Sequence, residues 1–160
     1  MIFLEDNVTI KYQMEHVFSY SGVLAPPEII GAVPSDVRAN FYVTAGEVWG
    51  PKLNGKLRPV GGDWITLRAD GVCVLDVRIT IEANDGALID AVYNGILDLG
   101  KDGYAAFLRG EIPDVAQIRA APRMRTAHPD YAWMNRTQFI NIGEAKLKEG
   151  TVVYDVYALR

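Results

Sequence analysis

Two aspartates, an arginine and a tyrosine are the residues best suited to chemistry in this sequence: Asp63, Asp76, Arg78 and Tyr93. A carboxylate held in a partly apolar pocket can act as a general base, and a phenol can donate a proton. Asp63 and Asp76 are therefore the candidate bases. Arg78 is the candidate holder of an anionic group, and Tyr93 is the candidate proton donor. An aspartate beside an arginine normally has a lowered pKa, which instead favours a structural ion pair.

Two Asp-Gly pairs set the strand register that would bring these side chains together. Asp70-Gly71 and Asp85-Gly86 each separate two runs of β-branched and aliphatic residues. Asp-Gly is favoured in two-residue hairpin loops because both central positions need a positive φ. With such loops, Asp63 lies opposite Arg78, and Arg78 lies opposite Tyr93. The acid, the guanidinium and the phenol then form a row across three strands.

The other face of these three strands is predicted to be buried, because apolar residues alternate along it. It carries Trp64, Thr66, Cys73, Leu75, Val77, Ile79, Ile81, Val92 and Ile96. The polar row itself has two interpretations. It is either a solvent-facing row of opposite charges, worth about 0.2–1 kcal/mol per pair, or the polar part of a barrel lumen. In the lumen, Gly95 would leave room for a ligand beside Asp76.

Two other places in the sequence are candidates for ligand contact. His16 alternates with apolar residues on a predicted strand from Val8 to Tyr20, so we expect it to point inward, as a core histidine or as a catalytic acid or base. An aromatic loop could cover one barrel end and suit an aromatic or polyketide-like ligand, or it could plug that end as ordinary core. Its candidate residues are Arg123, Tyr131, Trp133 and Asn135.

Length and composition indicate one ordinary globular domain, residues 1–160. The chain is 49% hydrophobic and 22% charged, with a net charge of −4, so it can bury a core without disulfides or metal. The densest basic run is Arg119, Arg123 and Arg125, which is too sparse for nucleic acid. A single cysteine, Cys73, and the absence of a long apolar run favour a soluble cytoplasmic protein without membrane contact.

About nine short predicted strands and almost no helix favour an all-β fold, an antiparallel closed or nearly closed barrel. The proline-containing stretch from Gly22 to Pro34 is expected to be a loop over one end. The sequence lacks HExxH, CxxC, Walker, GxGxxG and GxSxG motifs. We therefore expect no metal and no cofactor, and we infer a cofactor-free pocket.

An ordered set of motifs resembles the family catalogued as domain of unknown function number 3237, a group of small lipocalin-like β-barrels. The motifs, from about Phe41 to Tyr157, are GEVWGPKLNGKL, PVGGDW, DGVCVLDVRITIEANDGALI, the Tyr93-x-Gly95 pair, Pro122-Arg123, YAWMN and VVYDVY. The resemblance implies a closed lipocalin- or calycin-like barrel, a ligand cavity and a homodimer. The matching polar and aromatic positions are Asp63, Trp64, Asp76, Arg78, Tyr93, Arg123, Trp133 and Asn135.

Three functions fit these residues. The first is a cofactor-independent lyase, isomerase or cyclase acting on a small hydrophobic carbonyl or phenolic compound, aromatic or polyketide-like. The second is a carrier or sensor of a small hydrophobic ligand, since the sequence offers no activated nucleophile. The third is a structural or assembly protein whose polar row faces water. If Arg78 and Tyr93 face the lumen, one of the first two functions is favoured; if they face solvent, the third is.

Overall fold

Ten strands and two short helices make up the part of the chain described by a computed structural model, residues 8–160. The strands are β1 (Met14–Leu24), β2 (Glu28–Ala32), β3 (Val37–Trp49), β4 (Gly55–Leu67), β5 (Val72–Ala83), β6 (Leu88–Asp98), β7 (Ala116–Ala120), β8 (Arg123–Arg125), β9 (Gln138–Lys146) and β10 (Thr151–Leu159). The helices are α1 (Gly103–Leu108) and a 3₁₀ helix (Pro129–Arg136).

Eight of the strands close into an antiparallel barrel. Their order around it is β1, β10, β9, β7, β6, β5, β4 and β3, and β3 pairs with β1 to close the ring. Two short strands lie outside the ring. β2 extends the sheet at β3, and β8 pairs with β6 beyond the end of β7. The predicted fold class, a closed antiparallel barrel with little helix, is confirmed.

Strict alternation builds the wall of β5, as the sequence predicted. Cys73, Leu75, Val77, Ile79 and Ile81 are all buried, and the residues between them face outward. Because side chains alternate across a strand, β5 has an apolar inner face, and its outer face is polar from Asp76 onward.

Both Asp-Gly hairpins have three-residue loops, not the two-residue loops that we expected. In the first, the Arg68 amide donates to the Val72 carbonyl at 2.9 Å, and in the second the Ala83 amide donates to the Ala87 carbonyl at 2.9 Å. Gly71 and Gly86 have φ of 88° and 89°. This is the pattern of a type I turn followed by a left-handed glycine, which needs only one residue with positive φ.

The longer loops shift both strand pairings by one residue. Asp63 lies opposite Val77, and Val77 lies opposite Tyr93. The prediction that Arg78 stands between the acid and the phenol was therefore wrong. Since a slip of one residue exchanges the faces of a strand, β4 and β6 are reversed relative to the prediction.

The reversal changes which side chains reach the lumen. Asp63 and Tyr93 point inward, and Arg78 is exposed on the outer surface. The outer face of β4 and β6 carries four residues predicted to be buried, namely Trp64, Thr66, Val92 and Ile96. The row of acid, guanidinium and phenol does not exist.

The two ends of the barrel differ. The 3₁₀ helix closes one of them, which we call the plugged end: Met134 is buried there, and the Trp133 ring packs edge-on against Phe139 at 5.9 Å between centroids. The opposite end, which we call the open end, is flanked by β2 and α1. β2 lies within the stretch that we expected to be a loop, and as an edge strand it tolerates the preceding Pro27. Neither helix in residues 8–160 has the length or apolar content of a membrane crossing.

Candidate ligand cavity and active site

A cavity of about 360 Å³ runs from the middle of the barrel to the open end. Its walls are mainly aliphatic and aromatic side chains from the barrel strands, including Leu75, Leu97 and Ile118. The volume lies within the range of small-molecule sites, roughly 300–1,000 Å³. The cavity is therefore large enough for a compact bicyclic ligand and offers it an apolar surface.

The mouth of the cavity is built from β2, the segment between β6 and β7, and the β9–β10 turn. Ile29 of β2 and Phe107 of α1 line it, together with Ile112 from the loop after the helix and Leu147 from the β9–β10 turn. The segment between β6 and β7 thus forms part of the mouth. Its apolar residues do not alternate regularly with polar ones, because the segment covers the cavity and is not a barrel strand.

Asp63 is the sole carboxylate among the described residues that line the cavity. Its position depends on Gly61 and Gly62: a Cβ at Gly61 would collide with the Arg78 carbonyl oxygen, and one at Gly62 with that of Phe41. The two glycines therefore allow β3, β4 and β5 to approach closely just before the acid. The Asp63 Oδ1 accepts a hydrogen bond from the Asp76 amide at 2.9 Å.

Burial in the apolar wall raises the pKa of Asp63 from 3.8 to about 7. The hydrogen bond from the Asp76 amide opposes this increase, and the negative charge of Asp76 adds to it. The loss of hydration is the larger effect because an isolated carboxylate is poorly stabilised in an apolar wall. Near neutral pH the carboxyl group therefore exists in both forms, which suits a group that takes up and returns a proton.

A smaller inner chamber of about 40 Å³ adjoins the cavity. Both spaces are lined by Leu24, Asp63, Val152 and Tyr154. Tyr20 and Tyr93 line the chamber but not the cavity. The acid therefore stands at the boundary between the apolar cavity and a cluster of phenols.

The phenols form a buried hydrogen-bonded group with Asn141. The hydroxyls of Tyr20 and Tyr93 are 2.8 Å apart, and the Asn141 Nδ2 donates to the Tyr20 hydroxyl at 3.1 Å. The Tyr154 ring centroid lies 4.9 Å from that of Tyr20 and 5.9 Å from that of Tyr93. Burial raises the pKa of all three tyrosines above the usual value of a phenol, so their hydroxyls stay neutral.

Cys73 also lines the cavity, close enough for the Asp63 charge to act on it. Burial is the main reason that the pKa of its thiol rises to about 12, and the Asp63 charge adds to it. Since the thiolate is the nucleophilic form, this cysteine has the properties of a small hydrophobic wall residue.

The structure brings together two of the four predicted catalytic residues, Asp63 and Tyr93, at the inner chamber. The Asp76 side chain lies on the outer face of β5, and only its backbone amide contacts Asp63. Arg78 is exposed and does not line the cavity. Trp64 lies on the outer surface, where its ring meets Tyr42 edge-on at 6.1 Å.

His16 does not point into the barrel, which contradicts the expected inward position. The register of β1 shifts between His16 and Phe18, so Val17 and Phe18 are both buried, and the histidine is exposed. Its Nε2 is 2.9 Å from the Ser19 Oγ, which donates to Asp155 at 2.6 Å. In a catalytic triad the histidine lies between the serine and the carboxylate and takes the serine's proton. Here the serine lies between the histidine and the carboxylate and donates its proton to Asp155, so the three residues do not form a triad.

The aromatic loop lies at the plugged end, away from the cavity. Tyr131 donates to Asp85 at 2.9 Å, and Asn135 bridges both backbone groups of Thr126 at 2.9 Å. Trp133 packs on the core, and Arg123 is exposed on β8. None of these four residues lines the cavity, which contradicts the interpretation as ligand contacts. Trp133 and Tyr131 pack against the core as the plugging interpretation expects, whereas Arg123 and Asn135 are exposed.

Asp85, His128 and Asp130 hold potential metal-binding atoms within 4.8 Å of one another at the plugged end. The two aspartates are exposed. The Ala87 amide and Tyr131 hydroxyl already bond to Asp85, and the Asp130 amide bonds to the His128 Nδ1. These bonds account for the cluster as a structural tie between the β5–β6 turn and the 3₁₀ helix.

Sequence reasoning missed Tyr20, Tyr154 and Asn141 as site residues. Alternation along β10 puts Tyr154 on the same face as Val152 and Val156, and in the structure this face is inside the barrel. Asn141 is the polar residue on an otherwise apolar or glycine face of β9, and it is fully buried. A lone amide on a buried strand face is a signal of an internal hydrogen bond.

Fold and cavity together define a class, the closed antiparallel β-barrel with an apolar internal cavity. Within that class, the chain belongs to the family described as "Protein of unknown function (DUF3237)", whose profile matches residues 12–159. The resemblance seen in the sequence motifs is confirmed.

Similar proteins share this fold over nearly their whole length. A UPF0311 protein from Clostridium acetobutylicum is 34% identical over 131 residues, which cover 79% of this chain and 82% of that protein. A crystal structure of a protein of unknown function from the same species has a TM-score of 0.84 at 29% identity, covering 94% of this chain and 100% of that one. For a β-barrel-like protein from Acinetobacter baumannii the TM-score is 0.80 at 25% identity, with 97% and 100% covered.

One structural neighbour is an enzyme. It comes from Penicillium herquei and has a TM-score of 0.70 at 19% identity, covering 98% of this chain and 100% of that one. At this identity the similarity shows a shared fold alone.

Proposed function

We propose that this protein binds a small hydrophobic carbonyl or phenolic compound in the barrel cavity and that Asp63 transfers protons to and from it. The reaction class is that of a cofactor-independent isomerase, lyase or cyclase. The observation that carries the proposal is the Asp63 carboxyl group, with its pKa raised to about 7, in the wall of an apolar cavity of about 360 Å³.

The chemistry follows from the two forms of Asp63. The carboxylate removes a proton from the carbon next to a carbonyl group, which leaves an enolate and a neutral carboxyl group. That carboxyl group then returns the proton to another carbon or to oxygen, which isomerises the compound. Alternatively, the enolate expels a leaving group from the β carbon, or attacks a carbonyl carbon in the same compound to form a ring. The Asp63 carboxyl group then gives its proton to the departing group or to the new alkoxide. No electrons are gained or lost overall, so the reaction needs no redox partner.

Two features support a site for this chemistry over a merely structural acid. An ionisable group placed in an apolar cavity with a strongly shifted pKa is typical of catalytic acids and bases. The Penicillium herquei protein is an enzyme built on the same fold, so such a barrel is able to support catalysis.

Hydrogen exchange tests the proposal without knowledge of the natural substrate. The probe is 2-tetralone, a bicyclic ketone with acidic protons next to its carbonyl group, incubated in deuterated buffer and followed by NMR. We expect the wild-type protein to accelerate exchange and Asp63→Asn to reduce the protein-dependent rate by about a hundredfold or more. Asp90→Asn is the matched control, since Asp90 is paired with Arg125 on the outer surface. Equal exchange rates for the wild type and Asp63→Asn would contradict the proposed role of Asp63.

The second candidate function is a carrier or sensor of a small hydrophobic ligand. The almost entirely apolar wall favours it, because binding alone needs no acid. If 2-tetralone binds to the wild type and to Asp63→Asn with no acceleration of exchange in either, the carrier is the better description. The homodimer implied by the resemblance stays a prediction, which sedimentation velocity tests.

A further inference from the structure

We propose that Tyr154 binds the oxygen atom of the ligand and that Tyr93, Tyr20 and Asn141 are positioning residues that hold it. The inference rests on the proposed function of the cavity and deepens it. It restricts the ligand to compounds that carry a carbonyl or hydroxyl oxygen at the end that enters the barrel first.

The first argument is the shared position of Tyr154 and Asp63. Both side chains line the apolar cavity and the inner chamber. A ligand group at the boundary between the two spaces therefore lies next to a neutral phenol and a carboxyl group. This is the pair of groups that the enolisation of a ketone needs, one to bind the oxygen and one to move the proton.

The second argument is size. The inner chamber measures about 40 Å³, whereas the cavity measures about 360 Å³. A space of roughly 10–15 Å³ already holds one water molecule, so the chamber accepts an oxygen atom and has no room for a ring. The ring system of a ligand must stay in the cavity, and its oxygen is the part that reaches the tyrosines.

The third argument is the way that the tyrosines are anchored. Asn141 is fully buried, and its Nδ2 donates to the Tyr20 hydroxyl, which shares a hydrogen bond with the Tyr93 hydroxyl. The Asn141 Oδ1 is buried and has no hydrogen-bonding partner within residues 8–160. Burying an amide oxygen without a hydrogen bond costs folding free energy. We infer that this cost is tolerated because Asn141 fixes the position of the tyrosine hydroxyls.

Ring packing against Tyr20 and Tyr93 holds Tyr154 in turn. Its ring lies tilted on Tyr20 and edge-on to Tyr93, which prevents it from rotating away from the boundary. Tyr154 therefore presents its hydroxyl in one place, and the hydroxyl remains protonated because the group is buried. Tyr20 and Tyr93 act through Tyr154 and do not need to touch the ligand ring.

Two probes that differ by one hydroxyl group test the inference, 2-naphthol and naphthalene, with dissociation constants measured by equilibrium dialysis. The quantity of interest is the preference for 2-naphthol over naphthalene. An apolar cavity without an oxygen-binding group would favour naphthalene, because the hydroxyl group is better solvated in water. We expect Tyr154→Phe to lower the preference by about tenfold, the value of one hydrogen bond, while leaving the naphthalene affinity unchanged.

The controls separate a binding role from a structural one. Tyr157→Phe makes the same change on the outward-facing part of β10 and should leave the preference unchanged. Tyr20→Phe should lower the preference by about threefold through the loss of the anchor, again without loss of naphthalene binding. An unchanged preference in Tyr154→Phe would overturn the inference, although the cavity would stand as a ligand site. If neither probe binds to the wild type, the proposed function of the cavity is overturned, and the inference with it.

Discussion

The hydroxyl oxygens of Tyr20 and Tyr93 meet 2.8 Å apart inside the barrel, although 73 positions separate the two residues in sequence. Tyr20 belongs to β1 and Tyr93 to β6, and these strands lie opposite one another in the ring of eight. The hydrogen bond therefore spans the lumen and forms a polar floor beneath the apolar cavity.

Removal of the Tyr20 hydroxyl should destabilise the barrel. Tyr20→Phe breaks the bond to Tyr93 and leaves the Asn141 Nδ2 without its partner, so we expect the free energy of unfolding to fall by about 1–3 kcal/mol. Urea unfolding followed by circular dichroism measures the change. Tyr157→Phe on the outer surface is the control and should change stability by less than about 0.5 kcal/mol. Equal effects of the two substitutions would show that the Tyr20–Tyr93 hydrogen bond does not stabilise the fold.

Because the pKa of Asp63 is raised in the folded protein, Asp63→Asn should increase the free energy of unfolding relative to the wild type, and the increase should grow with pH. Between 3.8 and about 7 the unfolded chain releases the proton of this group while the folded protein retains it, so the wild type loses stability as pH rises through this window. In Asp63→Asn this loss is absent. The stability of the variant relative to the wild type should rise by about 1–4 kcal/mol from acid to pH 8, the upper value matching the full shift.

Thermal unfolding of both proteins at about pH 4, 6 and 8 checks this prediction. The Asn side chain can still accept the bond from the Asp76 amide, so the comparison isolates the charge. A difference in stability that does not change with pH would mean that the carboxyl group titrates in the same way in the folded and unfolded chains.

Gly71 and Gly86 provide a matched pair for the two hairpins. They occupy the same turn position, with φ of 88° and 89°, so alanine suffers the same backbone strain at each, about 1–2 kcal/mol. A Cβ at Gly71 would also collide with the Gly100 carbonyl oxygen, whereas one at Gly86 meets no atom of the described chain within 4 Å. We expect Gly71→Ala to be the more destabilising substitution in urea unfolding. Equal losses would indicate that the loop after β6 moves aside without cost.

Filling the cavity should abolish binding without preventing folding. Ala145 is buried and lines the cavity, so Ala145→Phe places a ring where the ligand would lie. Because space is present, the cost in stability should stay below the roughly 1–3 kcal/mol of ordinary overpacking. The affinity for 2-tetralone should fall by at least about tenfold, since the ring excludes the probe. Glu144→Phe adds the same ring to the outer surface of β9 and should bind the probe as the wild type does.

Much of the fold could be predicted from alternation alone. The inner residues of β5 were identified correctly because their apolar character repeats every second position, and β10 follows the same rule with Tyr154, Val156 and Ala158. These patterns reflect burial on one face of a strand, which is a local property of the sequence. The motifs that identify the family are likewise present in the sequence alone.

The site could be predicted only in part, since it depends on how strands meet. Asp-Gly is compatible with both two- and three-residue loops, and the choice decides whether Asp63 faces Arg78 or Val77. The extra residue in β1 turned His16 outward in the same way.

By itself, the sequence determined the all-β class, the family and the apolar character of the barrel interior, because each of these follows from residue types and their spacing along single strands. The tertiary structure alone decided that Asp63 stands in an apolar wall beside Tyr154 and above the Tyr20–Tyr93 pair. The physical reason is that a strand's partner and register fix which of its two faces is inside, and burial then sets the pKa of whatever lies there.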